Sequence, residues 1–183
     1  MVQRGTRIPG SRPSRLRLAE LAVIAVLILT LIGVVIQKVW ETRVAAERVA
    51  VLQTIGALRA ALGITVATRT ARGGLAALGP LHRSNPLDLL DKPPSGYLGE
   101  KDDPDPATIG GYHWYFDRRE RVLVYRVANS GRFEGGPPGP ARIRLQLRTS
   151  FADRNGNGRY DPASERIDGI RLVVLDDYRW RSP

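Results

Sequence analysis

"RLRLAELAVIAVLILTLIGVVIQKVWETRVAAERVAVLQTIGALRAALGITVATRTARGG", residues 15–74, runs through its whole length without a proline. Its first third is almost purely apolar, with Glu20 the only charge between Leu18 and Ile36. At about 1.5 Å of rise per residue that segment approaches the roughly 30 Å hydrocarbon core of a bilayer, so a transmembrane helix is expected over 18–39. A charge costs roughly 2.5 to 3.5 kcal/mol at the centre of such a helix and less near its end. Glu20 is therefore tolerable but needs a reason.

Nothing after Ile36 stops the helix. The residues are rich in Ala, Leu, Arg and Glu, and Trp40, Val44, Val51, Ile55, Leu58, Leu62 and Val66 recur at spacings of three, four or seven. They form one apolar stripe, with Arg43, Glu47, Gln53 and Arg59 expected on the watered face. An amphipathic helix is thus expected over 40–78, with stop signals at Gly73-Gly74 and again at Gly79-Pro80.

The chain carries a formal charge of +10 over 183 residues. Arg4, Arg7, Arg12, Arg15 and Arg17 lie in the first seventeen positions with no acid among them. Placed just before an apolar helix, they mark a basic cytoplasmic leader (1–17) and not a nucleic-acid patch. The expected topology is single-pass, with the N-terminus inside and everything after about Val39 outside.

Residues 79–111 are dense in Pro, Gly and Asp and read as a packed connecting loop with a short turn near Pro86. Four β-type segments follow in 112–183. "YHWYF" and "RVLVYRV" flank the polar "DRRE" and read as a hairpin. "ARIRLQLRTSF" alternates, with Ile143, Leu145 and Leu147 against Arg142, Arg144, Gln146 and Arg148. "GIRLVVLDDYRW" is the fourth, and "NSGRFEGGPPGP" reads as turn. The fold class expected is α+β: a long N-terminal helix packed on a small antiparallel sheet whose one apolar face is covered by the helix stripe.

The absence of cysteine excludes disulfides and thiolate sites, and two histidines make a histidine-rich zinc site improbable. No Walker loop, nucleophile elbow, HExxH or kinase signature is present, so no catalytic residue is assigned. One loop carries chemistry. In "DRNGNGRYDPASE" (153–165), Asp153, Asn155 and Asn157 alternate, Gly158 allows a tight turn, and the Arg159 carbonyl and Asp161 follow in the order of a calcium loop. Ser164 stands at the twelfth position, with Glu165 as a closing carboxylate one place late. The same segment also fits an Asn- and Gly-rich hairpin turn, and Arg154, Arg159 and Arg166 oppose a cation. "EKDDPDP" (100–106) could offer a second oxygen cluster but reads first as a solvated acidic loop, and the arginines of the third strand could bind anions or DNA but read first as a solvated face, since aromatic residues do not interleave them.

The order of a basic leader, an apolar helix with Glu near its start, an amphipathic continuation, a loop and a small sheet resembles type IV pilins and type II secretion pseudopilins. Within that superfamily, "NPLDLL", "PPSGYLGE" and "WYFDRRERVLVYRV" are similar to soluble domains of proteins of general secretion and MSHA-type pilus biogenesis. The resemblance implies a non-enzymatic assembly subunit of the inner membrane, with its sheet domain in the periplasm. Other pilin-like subunits are its implied partners, met through the N-terminal helix, and no small-molecule substrate is implied. It also implies a mature terminus at Leu16, with Glu20 pairing with the terminal ammonium of a neighbour. Arg15 stands where the family's leader peptidase requires glycine, so the processing site is degenerate. The alternative is a membrane-anchored extracytoplasmic module of pilin-like build that binds a ligand or partner.

Overall fold

The structure is a computed structural model that describes residues 15–161 and 163–181, with the backbone alone at 15–17, 40 and 41. Most of the expected leader and the Trp40 side chain of the stripe therefore lie outside what is described. The chain forms two compact units, Met1–Thr42 and Arg43–Pro183. Helix α1 (Arg15–Gly73) contributes to both.

In the first unit, every described side chain from Leu18 to Val39 is exposed, Glu20 included. The Thr30 hydroxyl, the one hydroxyl in this stretch, donates to the Val26 carbonyl at 2.8 Å and is thereby paired within the helix. Among the described residues one helix, near the N-terminus, is long and apolar enough to cross a membrane by length and composition.

In the second unit the expected stripe is the buried one. Val51, Ile55 and Leu58 join Trp114, Phe116, Leu123, Tyr125, Ile143 and Leu145 in the main core, with Val44 packed at its edge. Leu62 belongs to a second cluster with Leu78, Leu81, Leu147 and Ile167. The helix ends at the Gly73-Gly74 stop, and the rest of the span expected to 78 is a 3-10 helix, Leu75–Leu81, containing Pro80. Gly74 adopts φ +66°, a left-handed conformation that glycine supplies without strain.

Seven strands follow: β1 (Tyr97–Lys101), β2 (Trp114–Asp117), β3 (Val122–Arg126), β4 (Phe133–Gly135), β5 (Arg142–Phe151), β6 (Ile167–Val174) and β7 (Tyr178–Trp180). The main sheet has the order β1-β2-β3-β5-β6, and β4 pairs with β7 apart from it. The expected hairpin is β2-β3, antiparallel, with Trp114 opposite Tyr125 and Asp117 opposite Val122. The Asp117 carboxylate accepts from the Arg119 and Glu120 amides and closes that turn.

Three expectations are corrected. The sheet is mixed, because β1, inside the segment expected to be loop, pairs parallel to β2. Its five residues include Gly99 and break register between Tyr97 and Glu100, which leaves too little alternation to read. The fourth expected segment splits into β6 and β7, and β7 takes up β4 from the supposed turn, with Phe133 edge-on to Trp180 at 5.2 Å. Finally, the sheet has two apolar faces at its centre, where β2 and β3 are buried throughout. Ile109, Tyr115, Val122 and Val124 form a cluster of their own.

The loop before β1 is fastened at Asn85. Its side-chain oxygen accepts from the Leu87 amide at 3.1 Å, and its Nδ2 donates to the Tyr97 hydroxyl at 2.9 Å. "NPLDLL" and "PPSGYLGE" are thereby joined. Past the ends of β1 and β2, Asp102 and Asp103 of the acidic loop pair with Arg118 and Arg119 of the β2-β3 turn, so two of that loop's carboxylates are met within the chain.

Candidate functional site

Glu47 lies on α1 between Val44 and Val51 and was expected in water. It is 3% exposed. Its carboxylate accepts four hydrogen bonds: from the Tyr125 hydroxyl at 3.0 Å, the Ala128 amide at 2.7 Å, the Asn129 amide at 3.0 Å and the Asn129 side chain at 2.6 Å. A buried carboxylate is tolerable only when its lone pairs are taken up, and here two of the donors are backbone amides at the end of β3. Burial, and after it the neighbouring Glu47 carboxylate, push the Tyr125 hydroxyl well above its ordinary pKa, so it stays a donor.

This cluster fixes the register of α1 on the sheet, because a one-turn slip would strand an acid among Tyr125, Trp114 and Val127. Gly111 makes room for it: a Cβ there would stand 2.5 Å from Ala128 Cα, next to the amides that Glu47 holds. The sequence signal was present. The stripe 44, 51, 55, 58, 62 has one gap of seven, and residue 47 fills it at spacings of three and four.

The loop 153–165 joins β5 to β6. Asp153 accepts from the Gly156 and Gly158 amides, both at 2.8 Å, Asn155 from the Asn157 amide at 3.0 Å, and Asn157 from the Arg159 amide at 2.7 Å. The Gly158 amide, foremost, holds the Asp153 carboxyl below the usual carboxylate range. Gly158 has φ +68°, the positive value that a tight turn demands. Asp161 caps Ala163 at 3.1 Å and accepts from the Ser164 hydroxyl at 2.9 Å.

Glu165, 7% exposed, turns inward and accepts from the Arg154 amide at 3.3 Å and the Asp161 amide at 2.8 Å. The expected donor set thus sits in one loop, each side chain spending an oxygen lone pair on an amide and keeping others. Among the described residues no three His, Cys, Asp or Glu side chains group as a metal site, so a cation here would draw on the Asn155 and Asn157 amide oxygens and the Arg159 carbonyl. Such hard neutral oxygens suit calcium and not a transition metal.

No protein-family model, no curated protein and no solved structure matches the chain.

Proposed function

We propose that the chain is a non-enzymatic, pseudopilin-like assembly subunit of a type II secretion or type IV pilus-type system. In this reading residues 18–39 of α1 hold it in the inner membrane, and the α+β unit works on the periplasmic side. The observation that carries it is one helix with two kinds of apolar surface. The apolar side chains between Leu18 and Val39 are exposed, while Val51, Ile55, Leu58 and Leu62 of the same helix are core.

A second stripe supports helix-to-helix packing. Val49, Leu52, Gly56, Ala60, Gly63 and Ala67 are exposed at spacings of three and four, on the side of α1 away from the core. Nothing lies within 4 Å of where a Cβ would stand at Gly56 or Gly63, so a neighbouring backbone has open access there. Glu20 is then the assembly residue, its carboxylate met by a cation from a neighbouring helix. The loop 153–165 is proposed as a calcium site built from Asp153, Asn155, Asn157, the Arg159 carbonyl and Asp161, with Glu165 bracing it from inside. Calcium would add a cross-link between the ends of β5 and β6.

A photo-crosslinking residue at position 24, one helical turn from an intact Glu20, tests the assembly reading in the native membrane. The expected product joins position 24 to the N-terminal helix of another single-pass subunit. A chain that yields only intramolecular product would favour the alternative, a membrane-anchored extracytoplasmic binding module. Arg15, at the place of the processing glycine, is the residue that speaks for that alternative.

A further inference from the structure

The arginine face of β5, expected to be plainly solvated, forms the floor of a groove of about 990 Å³. Arg144, Gln146 and Arg148 alternate along it, opposite in direction to the buried Ile143, Leu145 and Leu147. Past the start of β3, where its pairing with β5 stops, residues 82 and 83 take over the free edge of β5. The Arg83 amide donates to the Leu147 carbonyl at 2.9 Å, and the Thr149 amide donates to His82 Nδ1 at 3.3 Å. Arg159 and Tyr160, from the loop after β5, also line the groove, as does Glu120 from the β2-β3 turn. All of it belongs to the unit Arg43–Pro183.

Four guanidinium groups therefore line one groove, and only one of them has its charge met. Arg144 holds Asp176 through two hydrogen bonds of 2.7 Å and reaches Glu120 at 3.2 Å. Arg83 donates to the Glu120 carbonyl at 2.8 Å and Arg148 to the Gln146 side chain at 2.9 Å, both neutral acceptors. Among the described residues, neither these two nor Arg159 is paired with a carboxylate. Gln146 is 5% exposed and donates to the Arg121 carbonyl at 2.9 Å, so the buried amide that orients Arg148 is itself fixed. His82 reports the local field: burial, then Arg83 and Arg148, lower its pKa.

We propose that this groove binds an acidic polypeptide segment of a partner protein, whose Asp or Glu carboxylates are taken by Arg83, Arg148 and Arg159. A guanidinium fork matches a carboxylate in two parallel hydrogen bonds, the arrangement that Arg144 already makes with Asp176 at the same floor. The volume is at the upper end of the roughly 300 to 1,000 Å³ range of ligand sites, which suits several residues of chain better than one inorganic anion. Nucleic acid is the poorer fit. Tyr160 lies 5.5 Å from Phe151 and 5.9 Å from His82, so these rings spend their faces and edges on each other and offer no stacking platform. The proposal does not rest on the membrane-subunit reading.

The test is fluorescence anisotropy of the full chain in detergent with labelled hexaglutamate, and with oligothymidylate and inorganic phosphate as competitors. Hexaglutamate should bind, weaken as salt rises, and lose roughly tenfold in affinity with R148Q/R159Q, equivalent to about 1.4 kcal/mol. R118Q/R119Q, which removes the same charge from the β2-β3 turn, should leave it unchanged. R159Q alone, on an exposed loop, serves as the second variant should the double one unfold. Equal loss in the turn variant, tighter binding of oligothymidylate, displacement by millimolar phosphate, or no binding of hexaglutamate would each overturn the proposal.

Discussion

Glu47 shows how much one residue can decide. Its carboxylate answers two backbone amides, a phenol and an amide side chain across some eighty positions of sequence. Replacement by alanine would leave the Ala128 and Asn129 amides without an acceptor, at a cost on the order of 3 kcal/mol. Glu47→Ala is therefore expected to lower the denaturation midpoint sharply, and Glu47→Gln, which keeps one acceptor oxygen, to lower it by less. Equal midpoints for wild type and Glu47→Ala in urea melts would show that the four bonds are not worth their desolvation. His82 gives a pH dependence of definite sign. Its folded pKa is lowered by burial and by Arg83 and Arg148, so the unfolded chain binds the proton more tightly. Stability from this source is complete above about pH 6.5 and is lost as pH falls through the folded value. His82→Gln should flatten that part of a stability-against-pH curve, as melts between about pH 7.5 and pH 5 would show.

At the scale of elements, α1 and the β5-β6 loop make separate predictions. Leu58 is fully buried and Leu52, on the opposite side of the same helix, is 49% exposed. Leu58→Ala should cost about 2 to 5 kcal/mol, and Leu52→Ala less than about 0.5 in the isolated chain. If Leu52 packs on a neighbouring helix, its truncation should instead reduce recovery of the assembled form in membranes. For the loop, calcium that binds only the folded state must raise the melting temperature by mass action. The expected result is a calcium-dependent rise in wild type that Asp153→Ala abolishes. An identical melt in calcium and in chelator would reduce the loop to a turn held by its own Asp and Asn side chains.

At the scale of the whole molecule, the proposed leader and anchor make a prediction of their own. Intact mass of membrane-extracted protein should show a terminus at Leu16 if pilin-type processing tolerates Arg15, and the full chain if it does not. The apolar run 18–36, the stripe on α1, the Gly73-Gly74 stop, the β2-β3 hairpin and the alternation of β5 were all legible in order along the chain. Each is a local pattern, set by the periodicity of helix or strand and by side-chain solubility. What only the tertiary structure decided depends on residues far apart. It placed β1 parallel to β2 and paired β4 with β7, because those strands of five and three residues draw their order from their neighbours and not from their own alternation. It buried Glu47, because the amides that make an acid acceptable there belong to the end of β3. It also turned the arginines of β5 from a solvated face into the floor of a groove, because the walls come from residues 82–83 and 158–160, which no periodicity connects to that strand.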